Sequence, residues 1–198
     1  MTPIAVQQQL RRRAAIVVPV GTTEQHGPHL PLGCDSIIVE HLADDISALF
    51  GMPRAPLVAY GVQAPIHPLP GGAALRRKTL HRVMNELIES WEEGAGVQEF
   101  IILTAQAVDA HLEALSTIRT ETASTTVVDI FGLDFGDLLE TPGDPAQGGE
   151  LDTSLLLYLA PHLVHLELAP TKLPVSARKG EQLYRFILDQ VSHCLTKA

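Results

Sequence analysis

A chain of 198 residues, 45% hydrophobic and 19% charged, holds enough apolar material for one substantial core and has the composition of an ordinary globular enzyme. Its formal net charge of −9 and pI near 5.4 argue against a nucleic-acid or anionic-membrane partner. Two cysteines, Cys34 and Cys194, supply no disulfide framework, no apolar run reaches bilayer length and no signal peptide is recognisable, so a soluble cytoplasmic protein is expected.

Arg11, Arg12 and Arg13 read as a solvated edge before the first apolar run, a strand over 14–20. A helix over 36–50 follows, with Asp35 as a candidate N-cap, then a strand over 56–60 and a Pro/Gly-rich piece at 61–72. Leu80, Val83, Met84, Leu87, Ile88 and Trp91 recur at three and four and mark one face of a helix over 79–93, capped by Thr79 and ended by Gly94 and Gly96. Next come a strand over 99–104, a helix over 109–122 capped by Asp109, and a strand over 125–131. A second Pro/Gly-rich piece at 140–149 leads to helices over 150–159 and 179–195. Ile187, Leu188, Val191 and Leu195 put an apolar stripe on the last helix, suited to its own sheet or to a subunit interface. The strands over 14–20 and 99–104 show no polar alternation and should be buried on both faces. No repeat or linker divides the chain, and the alternation of elements predicts a single α/β domain over 1–198 with a mostly parallel sheet.

The segment IVVPVGTTEQHGPHLPLGCD at 16–35 carries the chemistry. A buried strand ends in a Gly turn and opens onto Glu24, His26, His29 and Asp35. Side chains two apart on extended backbone point the same way, so Glu24 and His26 can share one divalent ion. Pro28, Pro31 and Gly33 bend the chain enough for Asp35 to return as a third ligand. A merely structural polar turn, with Asp35 only a cap, is the competing reading. Ligands of open parallel sheets bind beyond the carboxyl ends of the strands, where Gln106 also falls. Glu150 starts a helix and either aims into that crevice or simply complements the helix dipole. His29 and His67 are candidate substrate contacts, each with a plain loop role as the alternative. A helix starting at Asp109 should turn His111 away, and no nucleophile elbow surrounds Ser154.

These residues also carry a resemblance. VPVGTTEQHGPHLPLGCD closely resembles the signature loop of the creatininase (creatinine amidohydrolase) family, and HPLPGGAAL at 67–75 is similar to its segment ending in Pro-Gly-Thr. GGELDTS at 148–154 resembles its His-Ala-Gly-Glu-x-Glu-Thr-Ser motif, and Arg178-Lys179-Gly180-Glu181 the start of its last helix. The resemblance implies a three-layer creatininase-like sandwich and a homo-oligomer. It also implies a two-metal site bridged by Asp35, with Glu24, His26, Asp35 and Glu150 as retained ligands. Two departures stand out. TAQAVD at 104–109 occupies the place of the family's Asn-Gly-His-Gly-Gly-Asn, so Gln106 replaces a metal-binding histidine, and Gln147 replaces the histidine of the later motif. A carboxamide offers a neutral oxygen rather than an imidazole nitrogen and shuttles no proton.

The expected function is therefore metal-dependent hydrolysis of a small cyclic or linear amide by metal-activated water. Glu150 and Gln147 occupy the catalytic motif, and Glu24, His26, Asp35, Glu150 and Gln106 are the ligand candidates. One ion is expected rather than two, zinc ahead of manganese or iron. The rival expectation is a non-catalytic relative serving as a binding or assembly subunit. Trp91, the only tryptophan, lies on an apolar helix face, which speaks against a creatinine pocket walled by indoles.

Overall fold

The computed structural model describes residues 2–63, 70–141 and 147–197. Among these, strands β1 (Ala15–Val20), β2 (Glu99–Thr104) and β3 (Ser124–Asp129) form a parallel sheet in the order β1-β2-β3, pairing Val17 with Ile101 and Ile101 with Thr126. β1 is buried throughout and β2 from Phe100 onward, as the unbroken apolar runs predict. Their side chains alternate between two cores. Ala15, Val17, Ile101 and Leu103 face one cluster, and Ile16, Val18, Val20, Phe100 and Ile102 face the other.

Helices complete the layers. α2 (Cys34–Phe50), α5 (Glu150–Leu159) and α6 (Ala177–Lys197) cover the first face, burying Ile38, Leu42, Leu155, Leu183 and Ile187. α3 (Arg77–Ala95) and α4 (Asp109–Ser116) cover the second with Leu80, Met84, Ile88 and Leu115. Val83 is only half-buried and Leu87 is exposed, so the buried stripe of α3 is narrower than the sequence suggests. No helix among the described residues is long and apolar enough to cross a membrane.

Four local expectations are corrected. Residues 56–60 form no continuous strand. Instead the chain from Pro53 to Val58 runs beside β1 through Val17 N–H to Pro53 O (3.0 Å), Ala55 N–H to Val17 O (2.8 Å) and Val58 N–H to Pro19 O (3.0 Å), interrupted because Pro19 of β1 has no N–H to give to Ala55 O. An additional helix, α1 (Pro3–Arg12), precedes β1, with Thr2 accepting from Ala5 N–H and Pro3 in its first turn. It buries no residue, which is why no apolar period announced it. α4 stops at Ser116 rather than 122, because the Glu92 carboxylate captures the backbone N–H groups of Glu121, Thr122 and Ala123 at 2.7–3.0 Å. Asp35, Thr79 and Asp109 sit inside the first turns of their helices, whose caps are Gly33, Arg76 and Val108. Of the two settings open to the α6 stripe, its own core is the one taken: Ile187, Val191 and Leu195 are buried within the protein.

Candidate metal centre

β1 delivers the loop that follows it to the carboxyl edge of the sheet. Gly21 packs so tightly on Ser36 that a Cβ there would overlap the serine backbone, and Ser36 Oγ donates to Thr22 O at 2.7 Å. Glu24 N–H donates to Leu32 O at 2.9 Å, closing the loop on itself, and Thr23 Oγ1 donates to Ala59 O at 2.8 Å. The first turn of α2 then carries Asp35 back over the loop, where Thr22 Oγ1 donates to Asp35 Oδ2 at 2.7 Å.

One ligand atom each from Glu24, His26 and Asp35 lies within 4.8 Å of the others, and all three residues are at most 1% exposed. Asp35 Oδ1 stands 2.9 Å from His26 Nε2 as an ion pair. A buried carboxylate oxygen this close to an imidazole nitrogen is placed to share a cation with it. Asp152 Oδ2 lies 3.8 Å from the same nitrogen and accepts from Gly148 N–H at 2.8 Å. Gly148 has a φ of 81° and presses on the His26 carbonyl, so a side chain there would be strained and would collide.

The electrostatics follow from this crowding. Burial and the Asp35 charge raise Glu24 to about 7, against the pull of His26 and of amide hydrogen bonds from Gln106 and Gln147. Burial drives His26 down, but the carboxylates of Asp35, Asp152 and Glu24 outweigh it and raise the imidazole to about 10. Several buried carboxylates around one imidazole call for positive charge, and a divalent ion with oxygen and nitrogen ligands fits the donors present.

The two glutamines take definite roles. Gln106 accepts from Val108 N–H through Oε1 (3.2 Å), which turns its Nε2 to donate to Glu24 Oε1. That corrects the expectation of Gln106 as a ligand, since an amide NH₂ has no lone pair to give. Gln147 also hydrogen-bonds to Glu24. Both positions where histidine was expected therefore hold one carboxylate.

Glu150 is corrected as well. Its carboxylate accepts from Lys179 Nζ (2.6 Å), Thr141 Oγ1 (2.6 Å) and the N–H groups of Glu140 and Thr141, and it is absent from the cluster. Although burial opposes it, those donors hold the carboxyl at about 2. The carboxylate that α5 does bring to the site is Asp152, one half-turn further along. The motif text L-D-T-S contained it, but which of two carboxylates faces inward depends on the rotation of the helix. Cys34 is the other unforeseen neighbour, since an apolar context hid it.

His29 is buried, with Nε2 3.0 Å from Thr153 Oγ1, and Nδ1 has no hydrogen-bond partner. Burial lowers its pKa. His67 lies outside the described residues. His111 turns inward, contrary to expectation. Its Nδ1 accepts from Val62 N–H (3.1 Å), its Nε2 meets Thr104 Oγ1 (3.0 Å), and burial lowers it to about 4, which makes it a neutral brace under the 61–62 loop. Ser154 is buried in α5 with no hydrogen bond to its Oγ.

The fold is α/β with a parallel sheet, and at its carboxyl edge stands a cluster of carboxylates and imidazole that could hold a metal ion. Residues 1–194 match the family described as creatininase: creatinine amidohydrolase, and the chain belongs to that family. It is 31% identical over 153 residues to a mycofactocin precursor peptide peptidase of Mycolicibacterium smegmatis, covering 74% of this chain and 58% of that protein. It is 28% identical over 182 residues to a 3-dehydro-scyllo-inosose hydrolase of Thermotoga maritima, covering 85% of this chain and 58% of that protein. The chain thus spans somewhat under three-fifths of the length of these relatives. A crystal structure of creatinine amidohydrolase shares the fold, with a TM-score of 0.79 at 19% identity over 100% of this chain and 95% of that one.

Proposed function

We propose that the protein is a metal-dependent hydrolase acting on an amide bond of a small molecule or short peptide. The observation that carries this reading is the buried Glu24–His26–Asp35 group, whose ligand atoms lie within 4.8 Å of one another, with Asp35 Oδ1 2.9 Å from His26 Nε2. Glu24, His26 and Asp35 would hold the ion, zinc ahead of manganese or iron, with Asp152 beside them. Such an ion supplies a Lewis acid and lowers the pKa of water, so no protein nucleophile is needed.

The chain's own residues do the rest. Thr22 orients Asp35 through its hydroxyl, and Gln106 and Gln147 fix Glu24 by donating amide N–H groups. With its amide turned to Glu24, Gln106 supports one ion rather than two. His29, bound to Thr153 on one side, has a second nitrogen for a substrate polar group. The peptidase and hydrolase relatives favour cleavage chemistry but leave the substrate open, and a creatinine pocket built on Trp91 is disfavoured because this residue packs beside the second core. With the α6 stripe internal, homo-oligomer formation rests on the family and would use another face. Elemental analysis of protein purified without chelator, followed by a panel of small amides, lactams and short peptides, tests the reading. About one equivalent of metal and turnover of a panel member are expected, and metal well below one equivalent after loading would sink it.

A second reading has its own observation. Both glutamines converge on Glu24 and neither moves a proton, so the fold also suits a non-catalytic binding subunit. Metal uptake without turnover, with activity appearing only in the Gln106→His/Gln147→His protein, would favour it.

A further inference from the structure

A ring nitrogen of His26, the Cys34 sulfur and a carboxylate oxygen of Asp152 lie within 4.8 Å of one another, a second ligand-type grouping that shares His26 with the first. Cys34 is fully buried at the first position of α2, beside Asp35. The position has a packing role, but packing alone asks only for a small apolar side chain, and this one faces charged groups. Asp152 is anchored by Gly148 N–H at 2.8 Å, which holds its other neighbours to a fixed geometry. Asp35 Oδ1 at 2.9 Å and Asp152 Oδ2 at 3.8 Å both face His26 Nε2, so the two groupings meet at one buried nitrogen.

We infer that Cys34 and Asp152 complete the coordination of the ion held by His26, which makes the centre a mixed sulfur, nitrogen and oxygen site. The inference rests on the metal-centre reading above and adds two ligands that neither the loop motif nor the family resemblance assigns. On binding, the Cys34 S–H bond breaks, a sulfur–metal bond forms, and the proton leaves to solvent. A thiolate among the ligands selects zinc or cobalt over manganese or magnesium.

The test uses the Cys194→Ser protein, in which Cys34 is the only thiol of the original two. It is stripped of metal, loaded with Co(II), and read by absorption. Visible ligand-field bands report cobalt in a protein site, and a near-ultraviolet charge-transfer band reports a cobalt–thiolate bond. Both are expected. Adding Cys34→Ser should abolish the near-ultraviolet band and reduce the preference for zinc over manganese by about tenfold, with Asp152→Asn lowering affinity on a similar scale. Visible bands without the near-ultraviolet band overturn the role of Cys34 and leave the metal reading standing. No cobalt uptake overturns both. The single-thiol spectrum decides the matter even if Cys34→Ser fails to fold.

Discussion

Asp35 is the residue on which the centre turns, since it meets His26 with one oxygen and Thr22 with the other. Asp35→Asn keeps the shape but removes the charge, and should lower metal content under limiting metal by about tenfold or more. Glu150→Gln offers the opposite control. It weakens the Lys179 pairing and should lower the melting temperature while leaving metal stoichiometry intact, because that carboxylate is engaged elsewhere. Loss of metal in Glu150→Gln would restore Glu150 to the ligand set. The pH dependence has a definite sign. In metal-free protein both Glu24 and His26 have raised pKa values, so their stabilising contribution is complete at the acid end and is lost as pH rises. That loss runs from 4.5 through about 7 for Glu24 and from 6.5 through about 10 for His26. A bound ion replaces those protons and gains affinity over the same range. The melting-temperature gap between loaded and stripped protein should therefore widen between about pH 6 and 9, and scanning fluorimetry at fixed metal excess will measure it.

At the scale of elements, two contacts set how helices meet. Gly180 of α6 crosses α5 so closely that a methyl group would strike the Ser154 carbonyl and the Tyr158 side chain. Gly180→Ala should cost about 1–3 kcal/mol in chemical denaturation even though alanine favours helix, because overpacking outweighs the propensity gain. Glu92, near the end of α3, gathers the backbone N–H groups of 121–123 and thereby ends α4 early. Those donors hold its carboxyl at about 2 against an ordinary 4.5, so its stabilising effect is present above 4.5 and lost as pH falls through about 2. Glu92→Gln should lower the melting temperature at neutral pH and flatten its fall in acid, as calorimetry across that range will show. The helix over 109–122 was drawn too long for this reason: residues 117–122 carry one apolar side chain, Ile118, and a carboxylate thirty residues away claims the backbone beyond it.

Across the whole molecule, the final helix is part of the core. Val191 is 0% exposed in the core that α6 shares with α2 and α5, so Val191→Asp should abolish cooperative unfolding and drive aggregation rather than release a folded monomer. Light scattering and circular dichroism together separate those outcomes. A folded, monomeric Val191→Asp protein would show that the stripe is an interface after all.

The apolar periods were enough to place the two buried strands, five of the six helices among the described residues (one of them drawn too long) and the alternation that makes a parallel sheet, because burial on a fixed face leaves a period in the text. Local spacing likewise put Glu24 and His26 on one edge, with Asp35 returning to it. Only the tertiary structure decided that Asp152 rather than Glu150 faces the centre, that Cys34 stands beside it, and that Gln106 turns its nitrogen to Glu24. Each of these depends on a helix rotation or an amide orientation set by partners far away in the chain: Lys179 for Glu150, Gly148 packed on the His26 carbonyl for Asp152, and the Val108 N–H beside the strand end for Gln106. Such choices cost little locally and leave no period, so they become legible only when the distant segments are packed together.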